Sequence, residues 1–223
     1  MTTLMLDGPR LAPQRGQPDS LVVFAHGFGS SGDDLIGLAE AWQAALPTTY
    51  FVAPDGPEAV PGMPAHMPGY QWFDLAGDRS GMAQKVATAN TLFDSFLDRE
   101  LARHKLTADR LVLVGFSQGT MLSLHCGVRR AVAPAAILGY AGALADSAEV
   151  VKAEATAKPP VMLIHGEQDD RIPAQAALAA AQGLGAAEIP VQWTIRPNLG
   201  HSIDEAGVAM GARFILAALS GRL

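Results

Sequence analysis

Ser117 sits at the centre of Gly115-Phe116-Ser117-Gln118-Gly119, a G-x-S-x-G pentapeptide. An apolar run, Arg110–Val114, precedes it, and a helical pattern from Thr120 to Val128 follows. In that context of strand, sharp turn and helix, the pentapeptide reads as a nucleophile elbow. A serine at the tip of such a turn is held in strained backbone geometry, with its Oγ raised above the sheet edge. Side chains at positions 115 and 119 would collide where strand and helix close on each other, which accounts for both glycines. The chemistry open to such a serine is covalent acyl transfer. Outside this context the pentapeptide would carry little weight, because it arises by chance in glycine-rich chains.

A serine hydroxyl is a poor nucleophile at neutral pH and needs a general base, which in turn needs a third group to fix its tautomer. With this type of elbow the chain order is Ser, then Asp or Glu, then His. The six histidines are His26, His66, His104, His125, His165 and His201. Only His201 lies far enough beyond Ser117 to leave an acid-bearing strand between them. For the acid, the segment His165-Gly166-Glu167-Gln168-Asp169-Asp170-Arg171-Ile172-Pro173 offers Asp169 and Asp170 in the loop after a strand. Asp146 is a more remote rival. The negative oxygen that develops during acyl transfer calls for preorganised backbone N–H donors. Gln118, next to the nucleophile and at a helix N-terminus, supplies one. The glycine-rich loop His26-Gly27-Phe28-Gly29 follows an early strand, and the Phe28 N–H is assigned as the second.

The remaining conspicuous side chains have structural readings. His26 braces the glycine-rich loop. Cys126 is a small buried hydrophobe, and His125 shares its helix. His104 ends a long helix, where a cation is favoured by the dipole. His66 is left without a role. Neither H-x-x-H nor H-E-x-x-H occurs, so a metal site has no support, and no cofactor is implied.

The elements that must position these groups alternate. Strands are predicted at Leu21–Ala25, Thr49–Ala53, Arg110–Val114, Ala135–Tyr140, Pro160–His165 and Val191–Ile195. Most are near-continuous apolar runs, as buried parallel strands are. Helices are predicted at Asp34–Leu46, Met82–His104, Gln118–Arg130, Ala174–Gly183 and Asp204–Leu219. This order argues for an α/β fold, a parallel sheet with helices on both faces. A hairpin is expected within Leu4–Ala12. The connection from Pro54 to Gly81 has five prolines, five glycines and the apolar residues Met63, Met67, Tyr70, Trp72 and Phe73. It cannot hold a long helix or a central strand. It reads as an ordered loop over the C-terminal edge of the sheet.

With 223 residues, 49% hydrophobic and 17% charged, the chain suits one α/β domain over 1–223 with a large core. A net charge of −6 without a Lys/Arg block argues against nucleic acid or anionic membranes as partners. One cysteine excludes an internal disulfide. No signal peptide and no apolar run long enough for a membrane span is read, so a cytoplasmic location and no stable membrane insertion are expected.

Taken together, Phe24-Ala25-His26-Gly27-Phe28-Gly29, Gly32-Asp33-Asp34-Leu35, Gln71-Trp72-Phe73-Asp74, the G-F-S-Q-G elbow, His165-Gly166 with Asp169 and Pro173, and Gly200-His201 resemble the phospholipase/carboxylesterase family of α/β-hydrolases. The resemblance runs from about Leu21 to Leu219. It implies an α/β-hydrolase fold without a helical cap domain. It also implies Ser117 as nucleophile, Asp169 as acid, His201 as base, and oxyanion amides from Phe28 and Gln118. Three departures stand out: Phe28 where many relatives carry Leu, Thr120 where Gly is usual, and Asp170, Arg171 and Ile172, which are more polar as a set than the typical segment. The expected activity is that of a serine carboxylesterase acting on a small-molecule ester or thioester, lysophospholipids included. Phe28, Met63, Trp72 and Leu199 are expected to wall an apolar substrate pocket. Two alternatives stay open, a non-catalytic ligand-binding protein of the same fold and an acyltransferase using the same triad. A homodimer is compatible with everything in the sequence.

Overall fold

Alternation along the strands divides the interior into two apolar layers. The computed structural model describes residues 5–64, 66, 68–75 and 81–223. In chain order the elements are β1 (Arg10–Leu11), β2 (Ser20–Ala25), α1 (Gly32–Trp42), β3 (Thr49–Val52), β4 (Glu58–Ala59), β5 (Tyr70–Gln71), α2 (Met82–His104), β6 (Leu111–Phe116), α3 (Gln118–Gly127), β7 (Ala136–Tyr140), α4 (Ala148–Glu154), β8 (Val161–Gly166), α5 (Gln175–Ala186), β9 (Val191–Arg196) and α6 (Glu205–Leu219). Among the described residues one sheet has the strand order β1-β3-β2-β6-β7-β8-β9. Its strands pair in parallel except β1, which runs antiparallel to β3.

Leu21, Val23, Leu111, Leu113 and Leu163 face the layer covered by α2 to α5, through residues such as Phe93, Phe96, Leu122, Val151 and Leu184. Val22, Phe24, Val112, Val114 and Leu138 face the opposite layer, covered by α1 and α6 through Leu35, Trp42, Phe214 and Ile215. Burial on both faces is why the strands read as unbroken apolar runs. This is the α/β-hydrolase architecture. Between β7 and β8, residues 141–160 hold α4 and no inserted helical domain.

The six predicted strands form with ends within one or two residues of those expected, and α2 matches residue for residue. Three expectations need correction. Among the described residues no hairpin forms near the N-terminus: Arg10 and Leu11 pair instead with Val52 and Phe51 of β3, while Leu4 lies outside the described residues. The connection 54–81 contains a short ribbon, β4 against β5 (Glu58↔Gln71, Ala59↔Tyr70). Its composition excludes a central strand but not two residues of pairing at the rim. Met67 of this connection also lies outside the described residues. Helix α4 was not predicted. Its seven residues are too few for a 3.6-residue period to stand out.

The topology determines where a site can lie. From β2 the chain adds β3 on one side, then crosses through α2 to set β6 on the other. β2 and β6 are therefore neighbours, with Ala25 beside Gly115, and the chains leaving them diverge. Crevices at such switch points are where open α/β sheets bind ligands.

Helix α3 presses so closely on β2 that a Cβ at Gly119 would lie 1.8 Å from the Ala25 carbonyl oxygen. Gly119→Ala is expected to destabilise the protein by about 1–3 kcal/mol, as overpacking does. The measurement is a urea titration, with a lowered midpoint at an unchanged m-value as the expected result. A wild-type midpoint would contradict the close approach.

Candidate active site

Ser117 joins β6 to α3 with φ 53° and ψ −112°. A non-glycine residue in this region bears strain of about 1–3 kcal/mol and persists only where its surroundings dictate it. Here the Ser117 amide donates to the Tyr140 carbonyl at the end of β7 (2.9 Å), and the Ser117 carbonyl accepts from Thr120 and Met121 (3.0 and 3.3 Å). Thr120 Oγ1 donates to the same Tyr140 carbonyl at 2.8 Å. Thr120 is accommodated because positions 139 and 142 are glycines, where a Cβ would lie 2.6 Å from its methyl group.

Asp169 and His201 are brought together by the ends of β8 and β9. A Cβ on Gly166 would lie 2.2 Å from the Gly200 carbonyl oxygen, so the loop after β9 runs directly over the end of β8. The Gln168 amide bonds the Leu199 carbonyl at 2.8 Å. At the far end of the loop, Asp204 caps α6 through the Gly207 amide (2.7 Å) and pairs with Arg196 (2.9 Å). In this frame His201 Nδ1 lies 2.7 Å from Asp169 Oδ2. A carboxylate only accepts, so Nδ1 carries the proton and the neutral imidazole presents Nε2 as a lone pair.

Asp169 is buried and its oxygens are engaged on several sides. Oδ1 accepts from the Arg171 and Ile172 amides at 2.9 and 2.8 Å. His165 Nε2 donates to the Ile172 carbonyl at 2.8 Å and stands 3.1 Å from Asp169 Oδ2. Burial alone would raise the Asp169 pKa. Hydrogen bonds from Ile172, His201 and Arg171 outweigh it and hold the carboxyl below its ordinary value. Asp169 is thus a carboxylate at neutral pH.

The His201 ring lies against Phe116, with centroids 5.0 Å apart, which sets the imidazole beside the residue preceding Ser117. Ser117 is half-buried, and among the described residues its Oγ makes no hydrogen bond. On the other flank, a Cβ on Gly27 would lie 3.4 Å from the Ser117 Cβ, so the loop after β2 passes next to the serine. The backbone amides of Phe28 and Gln118 meet no acceptor among the described residues. The loop itself is pinned to β5 by Gly29 N–H to the Tyr70 carbonyl (2.9 Å) and Tyr70 N–H to the Ser30 carbonyl (2.7 Å). His26 is buried behind it, accepting from the Gly56 amide at Nε2 (2.8 Å) and donating from Nδ1 to the Gly27 carbonyl (2.7 Å). Burial pushes its pKa down. With both nitrogens engaged, the neutral ring is a brace.

The expected pocket residues separate. Phe28 and Met63 are 43% and 40% exposed, and Leu199 is half-buried in the loop before His201. Trp72 is only 2% exposed: its ring packs on His26 and Phe93 and its indole N–H donates to the His26 carbonyl at 2.9 Å. It stands behind the glycine-rich loop rather than on a cleft wall, because a buried indole needs an acceptor and finds one there. Asp170 points to solvent, within 3.8 Å of an equally exposed Arg171. Asp146 pairs with His125 (2.9 Å) and Arg129 (3.2 Å), away from His201. Cys126 is buried, and desolvation pushes its thiol pKa well above the ordinary range. His104 does not fit the reading as a helix-end cation. It lies on the Tyr50 ring at 4.0 Å, and burial lowers its pKa. His66 is exposed.

Two contributors escaped the sequence reading. One is His165 beside Asp169, and the other is the Gln118 side chain, which bonds residues 72 and 73. The only signal for His165 was its place at a strand end before Gly166. Among the described residues no group of three or more His, Cys, Asp or Glu side chains could hold a metal ion, and no helix is long and apolar enough to cross a membrane.

Comparison with known proteins agrees with this architecture. The phospholipase/carboxylesterase family model matches residues 6–219. Acyl-protein thioesterase 1 of Gibberella zeae is 30% identical over 211 residues, covering 87% of this chain and 88% of that protein. Its namesake in Neurospora crassa is 28% identical over 221 residues, covering 91% of this chain and 88% of that one. The crystal structure of esterase PE8 is similar with a TM-score of 0.88 and 37% identity, over 95% of this chain and 98% of that chain. The chain belongs to the phospholipase/carboxylesterase family of α/β-hydrolases, enzymes that hydrolyse ester bonds.

Proposed function

We propose that this protein is a serine carboxylesterase that cleaves carboxylic esters or thioesters through an acyl-enzyme on Ser117. The observation that carries the reading is the 2.7 Å bond from His201 Nδ1 to Asp169 Oδ2, with the same imidazole lying against Phe116 at the elbow. His201 Nε2 takes the Ser117 proton as Oγ attacks the substrate carbonyl, and Asp169 holds the Nδ1–H tautomer and stabilises the imidazolium. The Phe28 and Gln118 amides receive the oxyanion. His201 then protonates the leaving alcohol or thiol. In the second half, His201 takes a proton from water, hydroxide adds to the acyl carbonyl, and Ser117 Oγ departs with that proton. The Ser–His contact in such sites tightens when substrate is bound.

The names of the curated relatives support thioesters as one substrate class, and the esterase similarity supports oxygen esters. The exposed apolar side chains of Phe28 and Met63 suit short or medium acyl chains. A panel of oxygen esters, thioesters and lysophospholipids of graded chain length separates these classes. A transfer product in the presence of alcohols would instead mark an acyltransferase.

Ser117→Ala is expected to lower turnover of p-nitrophenyl butyrate by about 10⁴–10⁶-fold with the fold intact. A fluorophosphonate is expected to label Ser117 and no other serine, as read by mass spectrometry. Near-normal activity in the variant, or an adduct elsewhere, contradicts the reading. Asp169→Asn reverses the tautomer preference of His201 and is expected to lower kcat about 10⁴-fold. The solvent-facing Asp170→Asn is expected to leave kcat within about twofold, as surface changes do. Steady-state kinetics on both variants decide between the neighbours, and the opposite ranking would move the acid to Asp170.

A further inference from the structure

The carboxamide of Gln118 is buried and used at both ends. Its Oε1 accepts from the Trp72 backbone amide at 2.9 Å, and its Nε2 donates to the Phe73 carbonyl at 2.7 Å. The side chain binds residues 72 and 73 as a neighbouring strand would, one donor and one acceptor against the same stretch of backbone. That stretch is tied equally well in the other direction. The Trp72 indole N–H donates to the His26 carbonyl at 2.9 Å, and its ring lies 5.2 Å from that of His26. Tyr70 exchanges backbone hydrogen bonds with Gly29 and Ser30 at 2.9 and 2.7 Å. Gly69 approaches so closely that a Cβ there would lie 2.4 Å from the Gly29 carbonyl oxygen.

Residues 69–73 therefore span two pieces of chain, the loop 26–30 after β2 and the start of α3. These carry the Phe28 and Gln118 amides. They leave neighbouring strands in divergent directions, and among the described residues no hydrogen bond joins the loop 26–30 directly to residues 117–119. The two pieces touch directly where Gly119 packs on the Ala25 and His26 carbonyls, and residues 69–73 add the hydrogen-bonded tie between the loop and the start of the helix.

We propose that the Gln118 side chain, together with Trp72, is a positioning element for the oxyanion site, holding residues 69–73 as a cross-brace that sets the distance between the Phe28 and Gln118 amides. The proposal rests on the serine-esterase reading. Donors to an oxyanion act from about 2.7–3.1 Å and gain their effect by being fixed before the charge develops. Displacement by about 1 Å can lower a rate 10²-fold. Loosening the brace should therefore weaken transition-state binding and leave substrate binding nearly unchanged, a pattern that a general loss of folded protein does not produce.

Gln118→Met keeps the backbone amide and the side-chain length but removes both hydrogen bonds. The experiment measures kcat and KM on p-nitrophenyl butyrate, counting active sites by fluorophosphonate titration. It also measures Ki for an alkyl trifluoromethyl ketone, whose adduct places an oxyanion in the site, and for the non-fluorinated methyl ketone as a ground-state probe. Expected are a fall in kcat per titrated serine of about 10–100-fold and a KM within about threefold of wild type. The trifluoromethyl ketone Ki should rise in proportion, with the methyl ketone Ki unchanged. A kcat per titrated serine within about threefold of wild type, or a fall without the matching rise in Ki, overturns the brace. Should Gln118→Met fail to fold by circular dichroism, Trp72→Phe removes the indole N–H, with part of the ring, from the opposite end. It must then show the same split, and a wild-type profile overturns the proposal. An active Ser117→Ala enzyme, or wild type indifferent to the trifluoromethyl ketone, would instead defeat the esterase reading itself.

Discussion

Helix α3 lies against the end of β2 with no room for a side chain between them, and the geometry around Ser117 follows from that contact. Gly119 meets the Ala25 carbonyl at a distance no Cβ could tolerate. With the helix seated there, the chain leaving β6 must turn in a single residue, and Ser117 takes a left-handed φ to do it. The strain is borne by the Tyr140 carbonyl, which accepts from both Ser117 and Thr120. The same seating aims the first amides of α3 at the loop after β2. The proposed nucleophile, one proposed oxyanion amide and the helix N-terminus are thus consequences of one steric constraint.

The proposed base and its acid are assembled by a separate mechanism. β6, β8 and β9 are parallel, so the segments that follow them all emerge on one edge of the sheet. Gly166 lets the loop after β9 lie across the end of β8, and the Arg196–Asp204 pair closes that loop at its other end. Asp169 then receives two backbone amides and the His201 imidazole, with His165 at its side. Its charge is stabilised by fixed donors rather than by water, which keeps it ionised despite burial.

The long connection ahead of α2 links these parts. Among its described residues the prolines and glycines leave only the short β4–β5 ribbon of regular structure, yet its segment 69–73 is among the most tightly bonded pieces near the site. Trp72 shows why composition misleads here. An aromatic residue in a loop over an active edge suggests contact with substrate, but an indole also carries a donor that must be satisfied when buried. The carbonyl of His26 accepts from it. The residue therefore serves the architecture of the glycine-rich loop, and Phe28 and Met63 are left to present apolar surface.

By itself the sequence determined the six longer strands, five of the helices, the elbow and the short roster of residues from which a triad could be drawn. These rest on local physics: apolar periodicity, turn-forming glycines and the order of elements along the chain. The tertiary structure alone decided matters that depend on which edges become neighbours. Asp169 and Asp170 are adjacent and chemically identical, yet one is bonded to His201 and the other faces water, because the turn after β8 is shaped by a loop arriving from β9. β1 found its partner in β3 rather than in a hairpin. The carboxamide of Gln118 found the backbone of residues 72 and 73. Each of these is a choice between partners far apart in the chain, and a local pattern holds no information about a partner that only folding brings within reach.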